Sequence, residues 1–159
     1  STSANTSTQR MTMANRLACF RTSLGSFQVE LFEVRAPDTT KNFIDLVEKG
    51  YYDGIVFHRV IKGFMLQAGC PDGNGRGGPG YTIPDEFHAE LTHDSEGVLS
   101  MANSGPNTGG SQFFVTHSDQ PHLDGSYTAF GWLESGEEVL DRIQEGDWVV
   151  RMRVLPTEF

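Results

Sequence analysis

The chain is punctuated too often to be built from long helices. Past Gly50 its apolar pieces are "IVFHRVI", "FMLQAG", "GVLSMAN", "SQFFVTH" and "TAFGWL", separated by loops that hold glycine or proline. An isolated helix of that length is marginal in water, whereas strands of about four to eight residues are ordinary. The pattern predicts many short strands and therefore a sheet.

Two segments keep a helical period. "PDTTKNFIDLVEKG" offers Pro37 to the first turn, Asp38 to the positive end and Gly50 to the C-terminal stop, with Phe43, Ile44, Leu46 and Val47 as its buried stripe. "SGEEVLDRIQEG" opens with Ser135 and Glu138 in capping-box spacing, turns Val139, Leu140 and Ile143 inward, and stops at Gly146. Near the N-terminus, "LACFRT" and "SFQVELFEV" read as a hairpin about "SLG", with Phe27, Val29 and Leu31 alternating against Gln28 and Glu30. "DWVVRMRVL" reads as a final strand with Trp148, Val150, Met152 and Val154 on one side.

Many strands and two helices predict a mostly β fold, an antiparallel sheet closed into a barrel whose open ends the helices cover. The 159 residues suit one domain, taken as 16–159. Residues 1–15 begin "STSANTST" and read as a flexible Ser/Thr-rich tail. Arg10, Arg16 and Arg21 precede the first acid, Glu30, but the start lacks the apolar core of a secretory signal.

Charge narrows the partners. Twelve basic against twenty-one acidic residues give a formal charge of −9, which argues against nucleic acid or an anionic membrane. No apolar run approaches the length of a membrane span. Cys19 and Cys70 are far apart and in no metal-like spacing, so they read as reduced thiols in a cytoplasmic chain.

Several familiar chemistries fail on their own terms. "GRGGPG", Gly75 to Gly80, matches the spacing of a dinucleotide loop, but Pro79 sits inside it and no helix follows to receive a phosphate. It reads as a loop whose glycines permit close backbone approach. His88 with His93, and His117 with His122, do not share a strand face, and no metal site is expected. Cys70 lies in a loop with no feature to depress its thiol pKa, and Ser111 stands outside any nucleophile elbow.

"VFHRVIKGFMLQAGC" raises a different question, because Arg59 stands among apolar residues. In an extended chain Phe57, Arg59 and Ile61 share one side. A guanidinium is always charged and should not lie unpaired in a core. It is either satisfied structurally or faces a cleft. Met65 and Gln67 share a strand face, as do Gln112 and Phe114, which sets two amides beside apolar groups. Such residues are commonly core with satisfied polar groups, so the pattern alone leaves the function open.

The segments "FHRVIKGFMLQAG", "GVLSMANSGPNTGGSQFFVTH" and "HLDGSYTAFGWL" resemble those of the cyclophilins, a family of peptidyl-prolyl cis–trans isomerases. The likeness runs from about Leu17 to Val154, and "SMANSGPNTGGSQFF" makes it specific. It implies an eight-stranded antiparallel barrel capped by two helices, acting on X–Pro bonds in peptides and proteins and assisting folding, without a cofactor or metal. By the same resemblance Arg59 is the catalytic arginine, and Phe64, Met65, Phe114 and Leu123 are the walls of a proline pocket. Gln67, Ala102, Asn103 and Gln112 form the groove for the peptide backbone, with Gly75 at its edge; Asp124 and Gly125 shape a turn beside it.

Three departures stand out. Ser104 replaces a familiar alanine, Tyr127 replaces a histidine of the pocket, and His122 replaces a tryptophan that helps bind cyclosporin. Cyclosporin is therefore expected to bind weakly. A monomer is expected. The rival from another class is a module that captures proline peptides without turnover; Arg59 favours the enzyme.

Overall fold

The computed structural model describes residues 15–156. Strands β1 (Leu17–Thr22) and β2 (Gly25–Leu31) form the expected hairpin, and helix α1 (Pro37–Glu48) follows. Strands β3 (Arg59–Ile61), β4 (Met65–Ala68), β5 (Val98–Met101), β6 (Phe113–Thr116) and β7 (Thr128–Ser135) are all short. Helix α2 (Glu137–Arg142) and strand β8 (Val149–Leu155) complete the chain. No helix among the described residues is long and apolar enough to cross a membrane.

The eight strands form one antiparallel sheet in the order β3-β4-β6-β5-β7-β2-β1-β8. That order corrects the expected closed barrel: the sheet is strongly curled but has two ends. Strand β3 pairs with β4, and only the isolated bridge between Val56 and Trp148 links the segment before it to the start of β8. Single backbone bonds span the opening instead, from Gly54 N–H to Val149 O at 2.7 Å and from Phe57 N–H to Asp147 O at 2.8 Å.

One face of the curl holds the core. Phe20, Phe27, Phe43, Tyr52, Phe113 and Phe130 are fully or almost fully buried there. The ring of Phe43 from α1 meets Phe113 edge-on at 5.6 Å and Phe130 at 5.2 Å, a geometry aromatic rings favour. Helix α1 buries the expected Phe43, Ile44, Leu46 and Val47. No side chain of its own caps it; the Glu86 carboxylate, distant in sequence, accepts from the Asp38 and Thr39 N–H groups.

Three further expectations need correction. Ser135 does not cap α2, because it still pairs with Gln28 in the β7–β2 ladder. Gly136 is the cap residue, at φ +92°, where an added Cβ would lie 2.5 Å from Phe27 Cα. In β8 a register shift sets Arg21 opposite Arg151 but Thr22 opposite Val149. The extra residue breaks the alternation, so Val149 and Met152 face inward while Trp148 and Val150 are exposed.

Phe57 and Arg59 likewise do not share a face. Phe57 sits in an irregular segment tied to Gly146 and Asp147 and is fully buried, whereas Arg59 begins β3 and is exposed. Most of the tail expected at residues 1–15 lies outside the described residues; Asn15 is within them and bonds Glu30 and the Glu33 N–H.

Candidate active site

The period of two along β4 and β6 gives the sheet a second apolar face. On β4, Leu66 and Ala68 belong to the core, while Met65 and Gln67 face the other way. On β6, Phe113 and Val115 point inward and Phe114 outward. Met65, Phe114 and Leu123 form a small apolar cluster separate from the main core, with Phe64, Ala102 and Tyr127 packed against it. This answers the question raised by the arginine. Arg59 pairs with Gln67, and Gln67 with Phe114, so the guanidinium stands in line with an amide and then a ring.

A hollow of about 290 Å³ opens on this face. Its walls are Phe64, Met65, Phe114, Leu123 and Tyr127, and its polar rim is Arg59, Gln67, Ala102 and Asn103. Among the described residues Arg59 forms no ion pair. Its charge is free to meet a ligand. His58 is half-buried behind it, and burial together with the Arg59 charge pulls the imidazole pKa down. His58 Nδ1 has no hydrogen-bond partner among the described residues.

A second hollow of about 550 Å³ adjoins the first and shares Gln67, Ala102 and Asn103 with it. Gly75, Ser104 and Gln112 line this one instead, so the expected groove residues are split between two connected depressions. Gln112 is the strut between them. It accepts from Gln67 Nε2 at 3.0 Å and donates to the carbonyls of Gly75 and Gly77 at 2.9 and 3.0 Å. The adjacent Ser111 is pinned from the core by the Tyr52 hydroxyl, which donates to its carbonyl at 2.8 Å. Gly69 lets the turn after β4 lie against this segment: a Cβ there would be 2.3 Å from Ser111 O.

Asn103 spends its side chain within the protein, donating to Ser126 O at 2.9 Å and accepting from the Gly105 N–H. His122 lines neither hollow; it is exposed and stacks on Phe64 with ring centroids 6.1 Å apart. Arg76 and Tyr81, lining the second hollow, were not singled out by the sequence; the glycine-rich loop between Gly75 and Gly80 was the available signal.

One detail departs from the sequence reading, the Cys70 thiol, while Ser111 agrees with it. Cys70 is buried, which pushes its thiol pKa up, but hydrogen bonds from the backbone around Asn74, Gly77, Asp72 and Gly75 outweigh this and draw it down. Ser111 Oγ is committed to Gly69 O and the Tyr51 hydroxyl, a structural role. Outside the hollows, Glu96, Glu137 and Asp141 bring carboxylate oxygens within 4.8 Å of one another. Burial and these two neighbours push Glu96 up to about 8.

A grooved sheet face that sets the Arg59 guanidinium beside an apolar-walled hollow has the form of a binding site, and comparison with known proteins makes this specific. Residues 17–157 match the family model for cyclophilin type peptidyl-prolyl cis-trans isomerase/CLD. A peptidyl-prolyl cis-trans isomerase-like 1 of Aspergillus oryzae is 54% identical over 127 residues, covering 78% of this chain and 79% of the relative. A peptidyl-prolyl cis-trans isomerase of Synechococcus elongatus is 47% identical over 140 residues, covering 87% and 95%. A Cryptosporidium parvum cyclophilin type isomerase, crystallised in the presence of the dipeptide Ala-Pro, superposes with a TM-score of 0.83 at 37% identity, covering 89% of this chain and 99% of that one. The chain belongs to the cyclophilin-type peptidyl-prolyl cis–trans isomerases, and it is an isomerase.

Proposed function

We propose that this isomerase turns X–Pro bonds in the smaller hollow and that Arg59 carries the rate enhancement. The single observation behind this is the exposed Arg59 guanidinium, which forms no ion pair among the described residues, beside an apolar-walled hollow of about 290 Å³. Amide resonance sets an uncatalysed barrier of about 18–20 kcal/mol. As the bond twists, the prolyl nitrogen loses conjugation and regains a lone pair. A donor aimed at that nitrogen binds the twisted state better than either planar state.

Arg59 suits this role because it is charged at every working pH and its fork is rigid. Phe64, Met65, Phe114 and Leu123 hold the pyrrolidine ring while the acyl side turns, and their apolar surfaces keep competing water from the donor. Gln67 orients the guanidinium from the neighbouring strand. The peptide on either side of the proline runs along Ala102, Asn103 and Gln112. The step needs no nucleophile and no cofactor. Substrates are proline-containing peptides and folding chains, and the free Cys19 and Cys70 support a reducing compartment such as the cytoplasm.

A coupled isomerisation assay with a short X–Pro peptide tests this. The native chain accelerates isomerisation, and Arg59→Ala abolishes most of the acceleration while peptide binding persists. Binding without acceleration by the native chain would favour a capture module instead.

A further inference from the structure

Behind the proline pocket lies a chain of polar groups that the reaction itself does not require. His93 is fully buried, as is Ser100 on β5. The Asp124 Oδ1 atom accepts the His93 backbone N–H at 2.7 Å and lies 2.8 Å from His93 Nδ1. His93 Nε2 lies 2.8 Å from Ser100 Oγ. A carboxylate can only accept, so Nδ1 carries the proton, and in the neutral ring Nε2 accepts from the Ser100 hydroxyl. Burial lowers the imidazole pKa against the opposing pull of Asp124.

The connectivity is that of a nucleophilic triad, but its location forbids that use. Ser100 Oγ is sealed in the sheet with no solvent exposure, so no carbonyl substrate can reach it. What the chain does touch is the pocket. The His93 ring stacks on Phe114, with centroids 6.0 Å apart and planes 15° from parallel. Ser100 is paired with Phe114 across the β5–β6 ladder. Asp124 directly follows Leu123, the opposite wall, and the Leu123 carbonyl receives the Ser126 and Tyr127 N–H groups. The His93 carbonyl also accepts from the Gln120 N–H at 2.7 Å, just before the 3-10 turn Pro121–Leu123.

One imidazole thus joins three segments: the loop at residue 93, strand β5 and the turn that carries Leu123. We propose that the Asp124–His93–Ser100 chain is a positioning device for isomerisation, clamping the Phe114 and Leu123 walls of the proline pocket at a fixed separation. Asp124 is the residue that sets it, because a single oxygen fixes both the backbone and the ring of His93. The inference rests on the pocket assignment above and adds residues that never touch the substrate. A wall that yields still binds proline, but the ring then follows the turning acyl group and loses its alignment with Arg59.

The test is steady-state isomerisation of a short X–Pro peptide by Asp124→Ala, Asp124→Asn and Ser100→Ala, with activity expressed per folded molecule. Asp124→Ala is expected to lower kcat/KM about tenfold, mainly through kcat. Asp124→Asn keeps an oxygen that accepts both N–H groups and is expected to stay within about threefold of native. Ser100→Ala, which cuts the chain at its other end, is expected to lose about threefold and serves if Asp124→Ala fails to fold. Native kcat/KM in the folded fraction of Asp124→Ala, or of Ser100→Ala in its place, would overturn the proposal. An inactive native chain would overturn the pocket assignment instead.

Discussion

Gln67 and Gln112 join side chain to side chain, Nε2 donating to Oε1 at 3.0 Å, and this bond couples the strand beside Arg59 to the glycine-rich loop. Gln112 then holds the loop through the Gly75 and Gly77 carbonyls. Replacing Gln112 with Leu removes all three bonds. Water can reach these partly exposed groups, so each loss costs only about 1 kcal/mol or less. Gln112→Leu is expected to lower kcat/KM about three- to tenfold and to change the melting temperature little. A coupled assay beside a thermal melt checks this; unchanged kcat/KM would show that the strut is dispensable for catalysis.

Cyclosporin should inhibit this chain weakly. His122 stacks on Phe64 at the rim of the pocket, but the imidazole offers less apolar surface than an indole would. His122→Trp is expected to tighten inhibition about tenfold or more, while leaving turnover of a short peptide within about twofold. A titration of residual activity against cyclosporin reads both. Nanomolar inhibition of the native chain would contradict the expectation.

Glu96 makes stability depend on pH. In the folded chain its pKa is raised from 4.5 to about 8, first by burial and then by Asp141 and Glu137. Between those values the folded state binds more protons than the unfolded one, so stability falls as pH rises through the window. The penalty is absent below the unfolded value and complete above the folded one. Glu96→Gln should melt with the native chain near pH 4.5 and exceed it by about 1–3 °C at pH 8.5, a shift kept small by solvent screening. Melting curves across that range decide it; a constant difference at all pH values would contradict the assignment.

The hairpin, the buried stripe of α1 and the inward Val139 and Leu140 of α2 were legible because each rests on a local period, although α2 ends at Arg142, so Ile143 is buried beyond it and the expected stop at Gly146 comes too late. The facing of β8 was not. Its bulge arises from pairing with Arg21 and Thr22, more than a hundred residues away in the chain, and no local pattern records it. Ser135 misled for a related reason: the capping spacing was present, but the sheet had a prior claim on its backbone. In "SQFFVTH" both faces are apolar, so period alone could not tell the core ring Phe113 from the pocket ring Phe114. The family resemblance supplied that distinction. The bond from Asp124 to His93 spans 31 residues and has no sequence signal.

Arg59 is expected to carry most of the rate enhancement. Exchange spectroscopy on a labelled Ala-Pro peptide measures cis–trans interconversion and binding in one sample, with native protein and with Arg59→Ala. The predicted result is an exchange rate lower by about 10²- to 10³-fold in the variant, with binding changed by less than about fivefold. Native-like exchange in Arg59→Ala would contradict it.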